Sequence, residues 1–199
     1  GYLGVYGETS EELYKSFWRL AFDKTGLLKY MDSQAKKEFD RDLQERCPEF
    51  TIETIKTTLV SVASDAENLF TRGLVNIFLG LSDKHKTNTN EPFKVNPKAV
   101  LSWTIEPRFS KGLMVCYRSE AKINDIDRVF KVLDGKSHIP RSLEMGINGA
   151  LIDKKIYEDD YYRIKGFKNG NMHIEFKRQD LLDKANLMIH KYYKGRALA

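Results

Sequence analysis

Apolar positions recur at helical spacing through roughly the first 80 residues, then give way to short branched and aromatic runs. Thr9 followed by Glu12 has capping-box spacing, and Leu13, Phe17, Leu20 and Ala21 share one side of a helix expected to run to about Gly26. Asp32 or Ser33 can cap a second helix, in which Ala35, Phe39 and Leu43 repeat every four residues until Pro48 stops it. Thr51 opens the longest pattern. Ile52, Ile55, Leu59, Val62, Ala66 and Leu69 mark a core face, and Leu74, Ile77, Phe78 and Leu81 continue it past Gly73. A glycine inside a helix costs about 1 kcal/mol relative to alanine, so two helices or a kink near Thr71 are expected.

Between Ser82 and Pro97 the chain turns hydrophilic, and Pro92 and Pro97 forbid helix, which predicts an exposed loop. Ala99–Ile105 and Leu113–Tyr117 read as two strands that can pair as a hairpin. Asp125 is placed to cap a helix carrying Ile126, Val129, Phe130 and Leu133, with Gly135 as its stop. Ser137–Lys155, holding Pro140, Gly146 and Gly149, shows no period and is expected to be loop.

The sharpest local signal follows: Tyr161–Phe167 and Met172–Lys177 flank Asn169-Gly170, a pair suited to a two-residue turn in which both residues take positive φ. That turn pairs Phe167 with Met172 and Gly166 with His173. One face then carries Phe167, Met172, Ile174 and Phe176 inward. The other presents Lys168, Asn171, His173, Glu175 and Lys177 to water. A last helix from Gln179 or Asp180 buries Leu181, Leu182, Ala185, Met188, Ile189 and Tyr192 and ends before Gly195.

These elements define an α+β fold: an N-terminal helical part of about four helices, a small antiparallel sheet that includes a C-terminal hairpin, and a closing C-terminal helix. A single domain over 1–199 is expected, with a helical half at 1–82 and a mixed half at 93–199. Hydrophobic residues make up 41% and charged residues 31%, which excludes a disordered or fibrous chain. No apolar run reaches the roughly 18 residues of a membrane span, and no signal-peptide order opens the chain, so a cytoplasmic protein is expected. A start at Gly1 rather than Met is expected of a processed tag, an excised domain or a trimmed terminus.

Cys47 and Cys116 stand far apart without a CxxC pair or a histidine cluster, so both are read as reduced, packed thiols rather than zinc ligands. Asp159 and Asp160 are adjacent carboxylates, but consecutive strand residues point to opposite faces, and neither they nor Asp134 is expected to hold a metal. No cofactor is expected. The net charge of +5, from 33 basic and 28 acidic residues, is compatible with a nucleic-acid partner without requiring one.

Trp18, Met31-Asp32, Arg72-Gly73, Lys86-Thr87-Asn88, Asp127-Arg128, Leu133-Asp134-Gly135-Lys136 and the closing Phe167-Lys168-Asn169-Gly170-Asn171-x-His173-x-x-Phe176-x-Arg178-x-Asp180-Leu181 form an ordered series. In this series the chain resembles domain-of-unknown-function family 4942 over nearly its whole length. The resemblance implies a protein of bacteria, phages, plasmids or integrated elements whose relatives stand beside or are fused to adenine-specific DNA methyltransferase modules. It implies no reaction. Methyl transfer by this chain is disfavoured, because it lacks a glycine-rich cofactor loop, and Asn96-Pro97 is followed by Lys98-Ala99 instead of a second proline and an aromatic.

The chemistry read from the residues is that of a surface for phosphates. Lys86, Thr87 and Asn88 supply ammonium, hydroxyl and amide hydrogens to phosphate oxygens, and Arg72, Lys136, Lys168 and Asn171 extend that surface where the fold brings them together. The leading expectation is a nucleic-acid-associated accessory domain of a mobile element, in a DNA modification or defence setting, with DNA or RNA as partner. The first alternative is a nuclease using His173 as acid or base with His85, His138 or a lysine as its second group. The second is a protein-interaction module that docks a methyltransferase or phage protein. Tyr157, Tyr161, Tyr162, Tyr192 and Tyr193 are read as packed between sheet and helix with wet hydroxyls rather than as base-stacking rings.

Overall fold

The computed structural model describes residues 10–82, 94–108 and 112–197. By internal contacts the chain divides into two units, Gly1–Phe70 and Thr71–Ala199. Among the described residues no helix is long and apolar enough to cross a membrane.

The first unit holds α1 (Ser10–Lys24), a 3-10 turn (Leu27–Tyr30), α2 (Ser33–Glu45) and most of α3 (Ile52–Ser82). Its core gathers Trp18, Phe22, Leu27, Met31, Ala35 and Leu43. The inward face of α1 is thus Lys15, Trp18 and Phe22, a correction of the expected stripe, whose Leu13, Phe17 and Leu20 are exposed. The rings decide this. Trp18 donates its indole N–H to the Pro48 carbonyl at 2.9 Å and meets Phe50 edge-on at 5.2 Å, while Phe22 packs on Phe39 at 4.4 Å. Lys15 is buried at their side because Glu11 and Glu12, each 3.0 Å away, and Gln44 satisfy its ammonium. Asp32 caps α2 as expected, accepting from the Ala35 amide at 2.8 Å. α3 is one continuous helix through Gly73, so the expected division into two helices is not found.

The second unit holds β1 (Lys98–Leu101), β2 (Ile105–Pro107), β3 (Leu113–Val115), α4 (Tyr117–Leu133), α5 (Ser142–Ile152), β4 (Tyr157–Glu158), β5 (Tyr162–Gly166), β6 (Met172–Phe176) and α6 (Gln179–Ala197). An antiparallel four-stranded sheet runs β1-β6-β5-β4, and β2 pairs with β3 in a separate ribbon. The stretch read as one strand over Ala99–Ile105 is therefore two. Its middle turns at Trp103, and the second piece alone pairs with β3.

Three helices of this unit depart from expectation. α4 begins at Tyr117, not Asp125, and Asp125 sits inside it, buried and 3.5 Å from the fully buried Arg128. Cys116 stands at the N-cap, its thiol 3.1 Å from the Ser119 hydroxyl but making no capping bond to a helix amide, so no capping residue announced the start. α5 occupies the segment expected to be loop. Its Leu143, Ile147 and Leu151 form a buried four-residue repeat, and the Asn148 side chain accepts from the Val115 amide at 2.8 Å, fixing α5 to β3. Gly135 ends α4 as expected, at φ +70 with its amide donating to the Val132 carbonyl. α6 runs through Gly195 to Ala197, three residues beyond the expected end.

The inner face of the sheet presents Ala99, Leu101, Tyr162, Ile164, Met172, Ile174 and Phe176, all buried. Phe130 of α4 stacks on Phe176 at 5.0 Å with rings nearly parallel, and α5 contacts β4 and β5. The outer face alternates with it: Lys98, Arg163, Lys165 and His173 are exposed. An antiparallel sheet can leave one face in water, and this one does.

Candidate functional site

The hairpin builds the site, and its register differs by one residue from the two-residue turn. Gly166 pairs with Met172 and Lys165 with His173. The Phe167 amide donates to the Asn171 carbonyl and the Gly170 amide to the Phe167 carbonyl, which leaves a loop of three residues, 168–170. Only Gly170 takes positive φ, at +88. This is a tight turn followed by a left-handed residue, the usual three-residue loop.

The shift changes what lies beside His173. Gly166, expected opposite it, faces Leu151 and Ile105 instead, where an added Cβ would come within 2.8 Å of Leu151 Cδ2. Phe167, expected in the core, lies against the His173 ring with centroids 4.4 Å apart. The alternation along β6 holds: Met172, Ile174 and Phe176 are buried, and His173 faces water.

Two rows cross the outer face. The first runs Lys98, Glu175, Arg163, Glu158, with alternate charges paired: Lys98 to Glu175 at 3.5 Å and Arg163 to Glu158 at 3.7 Å. Lys177 adds a contact to Glu158 at 3.1 Å. The second row runs Val100, His173, Lys165. Lys165 places its ammonium 5.1 Å from the Phe167 ring, and among the described residues no carboxylate pairs with it or with Lys168. A hollow of about 510 Å³ opens on this face, lined by Lys98, Val100, Arg163, Lys165, His173 and Glu175 among others.

Of the described site candidates singled out from sequence, His173 lines the hollow, as does its face neighbour Glu175. Lys168 and Asn171 belong to the loop at the end of the same hairpin, Lys168 exposed and Asn171 half-buried. Arg72 is exposed on α3 and is not part of the lining. His85, Lys86, Thr87 and Asn88 lie outside the described residues. Lys98, Arg163 and Lys165 were missed. The alternation Tyr162-Arg163-Ile164-Lys165 carried the signal, which becomes visible once a three-residue loop sets the register.

Lys136 joins a different group. It lies 3.0 Å from Asp134, whose carboxylate also accepts from the Tyr161 hydroxyl at 2.6 Å and from Arg178 at 2.9 Å. Tyr161, then Arg178, then Lys136 hold the Asp134 carboxyl well below the usual carboxylate range. Lys131 sits 3.4 Å above the Tyr161 ring. Three of the tyrosine hydroxyls expected to be wet are engaged within the protein: Tyr161 donates to Asp134, Tyr157 donates to Asp159, and the Tyr162 hydroxyl is buried near Asp127. Burial raises the Asp127 carboxyl, and His138 stands 3.7 Å from it with both side chains almost fully enclosed.

Asp159 is engaged within its own turn. Its oxygens accept from the Tyr161 and Tyr162 amides and the Tyr157 hydroxyl, fixing the bend between β4 and β5. Among the described residues no group of three or more His, Cys, Asp or Glu side chains is arranged to hold a metal ion. Cys47 and Cys116 are both free thiols, Cys116 buried with its Sγ 3.1 Å from the Trp103 carbonyl.

The second unit is thus an α+β scaffold that covers one face of a small antiparallel sheet with helices and offers the other, basic and partly aromatic, to solvent. The chain belongs to the family of domains of unknown function DUF4942, whose profile matches residues 10–195. No solved structure and no curated protein matches it.

Proposed function

We propose that this chain is a nucleic-acid-binding accessory domain that engages phosphates through the open face and hairpin end of its sheet, in the mobile-element, DNA-modification setting that its family resemblance implies. The observation that carries the reading is the second row of that face. His173, its ring tilted against Phe167, stands opposite Lys165, and the loop at the end of the same hairpin carries Lys168; no described carboxylate neutralises either ammonium. Ammonium groups left unpaired on an open face attract a polyanion, and displaced counterions make such binding fall with salt. The paired first row contributes register more than charge, since each of its cations already has a carboxylate neighbour.

The test is a titration of labelled oligonucleotides at two or more salt concentrations. Binding should weaken as salt rises, and Lys165→Ala and Lys168→Ala should each weaken it and lower the salt slope by about 0.7 to 0.9. An absence of binding at micromolar protein in low salt refutes the reading.

A further inference from the structure

Beside the hairpin loop stands a tryptophan that a folding argument alone does not explain. Trp103 is 70% exposed, although its neighbours Leu101 and Thr104 are buried at 3% and 2%. Its φ is +57, a region that a bulky L-residue enters only at a cost of about 1–2 kcal/mol. Three hydrogen bonds impose that conformation. The Gly170 carbonyl accepts from the amides of Thr104 at 2.9 Å and Ile105 at 3.0 Å, and the Trp103 carbonyl accepts from the Cys116 thiol. The indole lies against the turn, where a Cβ added to Gly170 would sit 3.7 Å from Trp103 Cε3.

The surroundings state what chemistry would cover the ring. Lys168 belongs to the turn that the indole abuts. Directly after Cys116 come Tyr117, 85% exposed, and Arg118, also exposed, so a second ring and a second cation start from the residue that grips the Trp103 carbonyl. No described carboxylate pairs with Lys168 or Arg118. Flat apolar rings flanked by unneutralised cations complement a ligand with an exposed π-face joined to an anionic backbone. An unpaired nucleotide has both; a base inside a duplex has its faces already occupied by stacking.

The geometry points to Trp103 as a stacking platform for an unpaired base, which makes the ligand of this domain single-stranded nucleic acid rather than duplex. This rests on the reading that the domain binds nucleic acid, and it adds the strand state and the residue that selects it. Trp103 holds the base, Tyr117 is the second ring within reach of the same segment, and Lys168 and Arg118 take the flanking phosphates. The left-handed backbone keeps the indole outward before any ligand arrives, so stacking requires no rearrangement of the loop.

The chain carries only two tryptophans, and the other, Trp18, is 1% exposed, so a change in emission on binding reports Trp103. Oligothymidylate, oligouridylate and a mixed-sequence DNA duplex are titrated into the full chain while tryptophan emission and labelled-oligonucleotide anisotropy are followed together. The single strands should quench and blue-shift the emission, and the duplex should leave it unchanged and bind more weakly. The preference between the two single strands assigns DNA or RNA.

Trp103→Gly removes the ring while relieving the positive φ, so it folds; it should weaken single-strand binding about fivefold or more. Trp103→Tyr should restore most of the affinity, and Trp18→Phe should keep the quench. Single strands that bind with emission unchanged, and equally well to Trp103→Gly, overturn the platform and leave the phosphate-binding reading standing. Tighter binding of duplex than of single strands also overturns it. Failure of every nucleic acid to bind at low salt overturns both.

Discussion

Alanine at Asn169 and at Gly170 distinguishes the observed hairpin from the one its dipeptide suggests. A two-residue turn needs positive φ at both positions, so alanine would be strained at each. In the three-residue loop only Gly170 is left-handed, at φ +88. Alanine there would meet ordinary contacts, 3.5 Å from the Ile105 carbonyl and 3.7 Å from Trp103, so the backbone term is the whole cost, about 1–2 kcal/mol. Asn169→Ala loses one exposed side-chain bond, from the Asn171 amide at 3.2 Å, worth about 0.5 kcal/mol. With an m-value of about 2 kcal/mol per molar urea, the midpoint should fall by about 0.5–1 M for Gly170→Ala and about 0.2 M for Asn169→Ala. Urea unfolding of the two variants and the parent measures this. Equal losses would refute the register, and with it the placement of His173 opposite Lys165.

Three further outcomes follow from the packing. Asn148→Ala removes the acceptor of the Val115 amide and should cost about 1–3 kcal/mol in urea unfolding, a loss that confirms α5 where the sequence offers no period. Gly112→Ala places a Cβ 2.9 Å from the Leu151 carbonyl oxygen and 3.0 Å from Ile152 Cα, both backbone, at φ +82. It should therefore destabilise more than Gly170→Ala, and equal midpoints would count against the close approach. Asp134 has a carboxyl depressed by Tyr161, Arg178 and Lys136, so its contribution is complete above the ordinary carboxylate pKa of about 4 and is lost as pH falls toward the depressed value. Thermal unfolding from pH 6 to pH 2 should show a steeper acid loss for the parent than for Asp134→Asn; parallel curves would remove Asp134 from the acid sensitivity.

What was legible in the sequence was whatever a local rule enforces. Asp32 capping α2, Gly135 ending α4 and the alternation of Met172, Ile174 and Phe176 each depend on residues a few positions apart. Tertiary packing hid the rest. The repeat of Leu143, Ile147 and Leu151 was masked by Gly146 and Gly149, and its burial together with the docking of Asn148 against β3 makes that segment a helix worth forming. α1 turned its Trp18 face inward because two partners distant in sequence, Pro48 and Phe50, receive the indole. The site suffered most from the hairpin. A one-residue change of register replaced Gly166 by Lys165 opposite His173 and moved Phe167 from the core to the side of the His173 ring, so Arg163 and Lys165 could not be placed until the loop length was known.

The residues through which the chain resembles its family also divide by what they do in the fold, and the division decides what a charge deletion reports. Trp18 and Asp32 fasten the first unit, and Arg128 is enclosed with Asp125 inside α4. Asp134, Lys136, Arg178 and Asp180 form one ion cluster around Tyr161, which ties the end of α4 to the start of α6. Lys136 was read as a phosphate contact, yet its ammonium already faces the Asp134 carboxylate, with Tyr161 on its other side. Among the described residues Lys165 has no such carboxylate. A cation with an acidic partner has less field to offer a phosphate than one without. Lys136→Ala should therefore leave the affinity and salt slope for oligonucleotides nearly unchanged while shifting thermal stability, and Lys165→Ala should do the reverse. If both variants lose affinity equally, the ion cluster belongs to the binding surface, and the open sheet face loses its claim to be the whole of it.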